Sequence, residues 1–121
     1  MDDILKKIAL LGGELKIANN EQRVMTFCGI DLKPEAISLV VDLNTVNAIL
    51  FYCCKFSKVD LSILKNSKVD TISVLHGDFG NKELMQLNSL TGLRFFKYHD
   101  VEITIEKLDT LLINNSKLSI I

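Results

Sequence analysis

The chain has 121 residues, 48% of them hydrophobic and 24% charged, with a formal net charge of -1. That length fits a single domain, and that apolar content is enough to bury a core, which excludes a disordered chain. With 14 basic residues against 15 acidic ones, there is no general excess of positive charge to displace phosphate counterions, so no nucleic-acid partner is expected. The opening Met1-Asp2-Asp3 is acidic and no long apolar run follows it, so no secretory leader is expected. No stretch approaches the roughly 20 apolar residues of a spanning helix, and the balanced charge speaks against attachment to a membrane surface. Cys28, Cys53 and Cys54 are an odd set with an adjacent pair. They suit neither a disulfide framework nor zinc ligation, and they point to a reducing, cytoplasmic setting.

In chain order, residues 3–11 place Ile4, Leu5, Ile8 and Leu11 on one helical face, and Gly12-Gly13 ends the helix. Leu15-Lys16-Ile17 alternates like a strand, Asn19-Asn20-Glu21 reads as a turn, and residues 24–27 complete a hairpin. Residues 1–21 are expected to cap whatever follows, since an uncovered terminal unit would expose core.

From residue 22 onward one pattern recurs. Val46-Asn47-Ala48-Ile49-Leu50-Phe51, Val69-Asp70-Thr71-Ile72-Ser73-Val74 and Leu93-Arg94-Phe95-Phe96-Lys97-Tyr98 each read apolar-x-x-apolar-x-apolar, in steps of 23 and 24 residues. An earlier copy begins near Gln22 with Met25 and Phe27 in the inner places, and a truncated one, Leu118-Ser119-Ile120-Ile121, begins 25 residues after Leu93. The inner residues Ile49, Phe51, Ile72, Val74, Phe96 and Tyr98 are expected core. Beyond each second inner residue another pair follows: Ile30 and Leu32, Cys54 and Phe56, Gly77 and Phe79, Val101 and Ile103. A helix-like stretch comes next in each unit, over 33–43 with Pro34 near its start, 60–65, 81–90 with Asn81 as its cap, and 104–113.

This unit resembles the leucine-rich-repeat family, whose pattern is L-x-x-L-x-L-x-x-N/C-x-L. Cys54 takes the N/C place in Val46-x-x-Ile49-x-Phe51-x-x-Cys54-x-Phe56. The tail Val101-Glu102-Ile103-Thr104-Ile105-Glu106-Lys107-Leu108 is similar to the cysteine-containing subtype, with Val101 where that subtype has cysteine. No unit carries the asparagine, and Val, Ile or Phe often replaces leucine. The resemblance covers residues 22–121. It implies an α/β fold: a short right-handed solenoid with parallel strands, an N-terminal helix and hairpin cap over 1–21, and repeats over 22–121, all in one domain. The alternative is an ordinary βαβα sheet with helices on both faces.

In a solenoid of this kind, residues between the inner positions point outward along the sheet. They form three columns: Val24, Ala48, Thr71, Phe95 and Ile120; Thr26, Leu50, Ser73 and Lys97; Cys28, Tyr52, Leu75 and His99. The expected partner-binding residues are Leu50, Tyr52, Ser73, Leu75, His76, Phe95, Lys97 and His99. Leu50, Tyr52, Leu75 and Phe95 would be an uncovered apolar patch, the kind of surface that marks interaction sites.

Catalytic signatures are absent from the sequence. There is no P-loop, dinucleotide fingerprint or paired-histidine helix motif. Gly77-Asp78-Phe79-Gly80 contains the Asp-Phe-Gly letters of kinases, but the chain is too short for a kinase and the stretch reads as a turn. His76, His99 and Asp100 are the residue types of acid–base or metal chemistry, and read here as surface residues of a binding face. No catalytic residue, cofactor or metal is therefore expected. The resemblance implies protein binding. The short length and cytoplasmic setting suggest a small bacterial immunity or antitoxin-type protein that neutralises a toxin partner by binding it. The Ile, Lys and Asn usage is compatible with an AT-rich bacterial genome. The alternatives are an adaptor or assembly subunit, including a homodimer paired through the open C-terminal strand, and a small enzyme.

Overall fold

The computed structural model describes residues 2–121; Met1, the first residue of the expected cap, lies outside them. Helix α1 (Asp2–Leu10) buries Ile8 and is closed by the Leu11 amide donating to the Ile8 carbonyl at 3.0 Å. Strand β1 (Gly13–Ile17) then pairs antiparallel with β2 (Arg23–Cys28), as the hairpin reading predicts. Glu21 takes a left-handed φ of 65° in the connecting turn, and the Ala18 amide donates to the Gln22 carbonyl at 2.8 Å.

The strands β3 (Ala48–Tyr52), β4 (Thr71–Leu75), β5 (Phe95–His99) and β6 (Ser119–Ile120) follow in sequential order, giving a six-stranded sheet. From β2 to β6 every neighbouring pair is parallel. The register runs Val24↔Ala48↔Thr71↔Phe95 and Cys28↔Tyr52↔Leu75↔His99, so the 23- and 24-residue steps of the sequence are the strand-to-strand steps of the sheet. The last step departs from expectation. Ser119, not Ile120, pairs with Phe95, and Ile120 pairs with Phe96 on the inner face. A one-residue shift sends every side chain of a strand to the opposite face. With this register Leu118, 7% exposed, and half-buried Ile120 turn inward and Ser119 turns out.

Between parallel strands lie α2 (Pro34–Leu43), a 3-10 segment (Leu61–Asn66), α3 (Asn81–Gln86) with a 3-10 turn (Leu87–Ser89), and α4 (Ile105–Asn114). Pro34 opens α2, where its missing N–H costs nothing. Thr104 caps α4, its Oγ1 accepting from the Lys107 amide at 3.3 Å. Two expectations change. The 60–65 segment is 3-10 and not α, because its two buried residues, Leu61 and Leu64, sit three apart and align on a three-residue turn. Asp60 Oδ1 accepts from the Ser62 amide at 3.0 Å, and its hydrogen bonds to Ser62 hold its carboxyl below the usual range. Asn81 is not the cap of α3. Gly80 holds that position, with its amide donating to Glu83 Oε1 at 2.9 Å, while Asn81 Oδ1 accepts from the Thr104 amide at 3.0 Å and ties α3 to the start of α4.

The inner sheet face and the helices share one core. Met25, Phe27, Ile49, Phe51, Ile72, Val74 and Phe96 are essentially inaccessible, and Tyr98 is half-buried. Aromatic rings run through this core in a chain. Phe27 stacks on Phe51 at 5.8 Å, and Phe51 meets Phe56 edge-on at 5.0 Å. Phe56 meets Phe79 edge-on at 5.3 Å, Phe79 lies 5.9 Å from Phe96, and Phe96 stacks on Tyr98 at 5.8 Å. Edge-on and offset rings add favourable quadrupole contacts to the burial itself. Among the described residues no helix is long and apolar enough to cross a membrane.

Candidate functional site: the open sheet face and its rim

Side chains alternate along a strand, so the residues between the core positions share the other face of the sheet. That face is left to solvent. Cys28, Tyr52, Phe95, Lys97 and His99 are exposed, and Leu50, Ser73 and Leu75 are half-buried among their own neighbours. Toward the middle of the sheet the face is closer-packed, with Ala48 4% and Thr26 7% exposed. Glu14 and Lys16 extend it onto β1 through their pairing with Thr26 and Val24. Seven of the eight residues expected to bind a partner thus share this face. Leu50, Ser73 and Lys97 form one row, Tyr52, Leu75 and His99 the next, and Phe95 lies beside Thr71. Tyr52 at 43% and Phe95 at 41% exposure are large apolar side chains with one side free, the residue types that anchor interfaces.

His76 sits just past β4 and turns back to this face. Its ring lies edge-on to Tyr52 at 5.4 Å and to His99 at 5.7 Å, and its Nδ1 is 2.7 Å from Asp100 Oδ2. The carboxylate fixes the ring in a rim of Tyr52, His76 and His99. The pair is solvent-exposed, with side chains 36% and 71% accessible, so it orients the imidazole more than it stabilises the fold. Three non-glycine residues on this rim, Cys53, His76 and Asp100, hold φ of 54°, 58° and 54°, in the place where the preceding strand has Gly29 at 66°. Left-handed backbone is uncommon outside glycine, although Asp and His accept it more readily than most. This row was not read from the sequence. Gly29, the same number of residues after its inner positions as Cys53 is after Ile49 and Phe51, was the available signal.

Asp78 and Phe79, the middle of the kinase-like letters, are structural. Asp78 Oδ1 accepts from the Phe56 amide at 2.9 Å, the Asp78 amide donates to the Cys54 carbonyl at 3.2 Å, and Phe79 joins the ring chain. Beside them an open groove of about 600 Å³, lined by Asp78, Asp100, Val101 and Glu102 among others, adjoins the rim at Asp100. Among the described residues no three His, Cys, Asp or Glu side chains gather as a metal ion would require.

The cysteines divide by environment. Cys28 and Cys53 are exposed, whereas Cys54 is buried with its thiol donating to the Phe27 carbonyl at 3.3 Å and the Tyr52 carbonyl at 3.6 Å. Burial pushes the Cys54 thiol above its ordinary range. Since the thiolate is the reactive form, an aromatic disulfide reagent should titrate two thiols in the folded, reduced protein. The third should appear only on adding denaturant. Rapid release of all three in buffer would place Cys54 outside the core.

Compared with known proteins, the chain matches no family model, no curated protein and no solved structure.

Proposed function

We propose that this chain is a protein-binding module built as a short leucine-rich-repeat-like solenoid, acting by occupying a partner and not by catalysis. The observation that carries the reading is the uncovered face of the parallel sheet, on which Leu50, Tyr52 and Leu75 are neighbours and Phe95 lies at the other end of the strands beside Thr71. Ser73, His76, Lys97 and His99 add polar groups that fix orientation, the usual division between apolar anchors and a polar rim. Sequential strand order with parallel pairing, one covered face and a hairpin before the first parallel pair supports the solenoid reading over a sheet covered on both sides. In function the protein is a small cytoplasmic, bacterial immunity-type protein that holds a toxin inactive. A broad uncovered sheet face with the exposed anchors Tyr52 and Phe95 fits a neutralising partner better than an enzyme.

The test begins with the immobilised chain as bait in its native host, with captured proteins identified by mass spectrometry. Leu50→Asp and Tyr52→Ala then decide whether the capture uses this face. Each should weaken binding by about 2 kcal/mol, roughly 30-fold, as central interface anchors do, with an unchanged circular dichroism spectrum. If the partner is a toxin, cells expressing it should lose protection with the same variants. Folded variants that bind and protect as well as the parent would move the site off this face.

A second reading is assembly through the side of α4 and β6. It rests on Ile105 at 77%, Ile113 at 80% and Ile121 at 68% exposure in that part of the molecule. Exposed apolar groups beside an unpaired strand edge invite a further strand or a second copy. Light scattering at rising concentration distinguishes it. A monomer throughout leaves the sheet face as the working surface.

A further inference from the structure

The left-handed residues along the rim include Cys53, which follows Tyr52, and Tyr52 pairs in the sheet with Cys28, the last residue of β2. Gly29, Cys53 and His76 each follow a strand, and their amides continue the sheet ladder by donating to the carbonyls of Tyr52, Leu75 and His99 at 2.8, 2.9 and 2.9 Å. With shared register and shared φ, side chains at this position leave the backbone in one direction. His76 shows which direction that is. Its ring rests between Tyr52, the last residue of the strand before, and His99, the last residue of the strand after, at 5.4 and 5.7 Å. One strand earlier the same placement sets Cys53 between Cys28 and Leu75, which flank Tyr52 in the sheet register.

Both thiols are exposed, and the third is buried and hydrogen-bonded away from them. A strand spacing near 4.8 Å and a rise near 3.3 Å per residue put the Cys28 and Cys53 Cα atoms about 6 Å apart. A disulfide bridges Cα atoms roughly 4.4–6.8 Å apart. We propose that Cys28 and Cys53 form a reversible dithiol–disulfide pair on the rim of the open sheet face, oxidised by low-molecular-weight disulfides.

The chemistry closes on itself. The Cys53 thiolate attacks one sulfur of the small disulfide, whose S–S bond breaks. The first small thiolate leaves and takes up a proton, and a mixed disulfide remains on Cys53. The Cys28 thiolate then attacks the Cys53 sulfur, displacing the second small thiol. Two protein thiols are oxidised to one disulfide, and one small disulfide is reduced to two thiols. A resolving thiol beside an accessible one is the arrangement of redox-responsive cysteines, and exchange with excess dithiol reverses it.

The reduced full-length chain is incubated with oxidised glutathione and followed by intact mass and peptide mapping. The expected end state is the protein two hydrogens lighter, with one Cys28–Cys53 crosslink and no retained glutathione, returned to the starting mass by dithiothreitol. Cys28→Ser should stop at the mixed disulfide, with glutathione held on Cys53. Cys53→Ser should lose the internal crosslink. Both substitutions are at exposed positions and keep the fold, which circular dichroism checks. The proposal is overturned if the parent ends glutathionylated without an internal crosslink, if mapping finds Cys54 in the bridge, if disulfide-linked dimers form instead, or if the crosslink survives in Cys53→Ser.

Discussion

Phe51→Ala should lower the unfolding free energy by about 3–5 kcal/mol, the usual range for truncating a buried phenylalanine. Phe51 is 0% exposed, stacks on Phe27 at 5.8 Å and meets Phe56 edge-on at 5.0 Å. Removing its ring opens a void between two rings anchored on different parts of the chain, Phe27 in β2 and Phe56 in the segment after β3. Neither can move in without leaving its other contacts: Phe56 also rests against Phe79. The site therefore collapses poorly, and the loss of dispersion contacts adds to the loss of burial. Phe96→Ala, at the other end of the ring chain beside Phe79 and Tyr98, should cost a similar amount. Against a typical total of about 5–15 kcal/mol, either change takes a large share of the stability. Urea denaturation measures it, with Phe95→Ala as the control. Phe95 has the same chemistry one residue away on the open face, at 41% exposure, and its truncation should cost far less. Equal midpoint shifts for Phe95→Ala and Phe96→Ala would mean that the two faces have been exchanged.

Gly77→Ala should be at least as damaging for a different reason. Gly77 has φ of 88°, and a Cβ there would overlap the Cys54 carbonyl oxygen and lie 2.9 Å from the Cys54 nitrogen. These are backbone atoms, so no rotamer change makes room. The Cys54 carbonyl also accepts from the Asp78 amide at 3.2 Å, so moving it apart from Gly77 breaks the contact that seats Asp78 and, through it, Phe79. A left-handed backbone cost combined with overpacking gives roughly 3 kcal/mol or more. Gly29→Ala separates the two contributions. Gly29 has φ of 66° but nothing within 4 Å of its Cβ position, so alanine there pays for the conformation alone, about 1 kcal/mol. Thermal unfolding of the pair is the measurement. Similar shifts for both variants would mean that the close approach of Gly77 to Cys54 does not exist in solution.

The two predictions differ in how far the sequence reached toward them. Phe51 and Phe96 were legible as core because burial of one sheet face forces apolar residues to alternate, and the pattern recurs at steps that match the strand register. Gly77 stands in the same column as Ile30, Cys54 and Val101, where it is the one residue without a side chain. Its role is to let two chain segments 23 residues apart touch, which no local pattern displays.

The face that carries the candidate site shows the same division. Its membership followed from strand periodicity alone, since Leu50, Tyr52, Ser73, Leu75, Lys97 and His99 lie between core positions wherever the strands are placed. That the face is open depended on where the helices pack, and this was decided only when Leu39, Leu61, Leu84 and Leu111 closed over the opposite side with the inner strand residues. The rim was beyond the sequence for a further reason. The turn of His76 toward Tyr52 and His99, and the neighbouring places of Cys28 and Cys53, follow from left-handed residues that end successive strands. Likewise the final strand slips to a 24-residue step from β5, because Leu118 and Ile120 gain more by facing the core than Ile121 would. Periodicity in the sequence determined which residues share a face, since that depends only on backbone geometry within one strand. Which segments touch, which face stays bare and which turns are left-handed depend on packing between distant segments, and only the tertiary structure decided them.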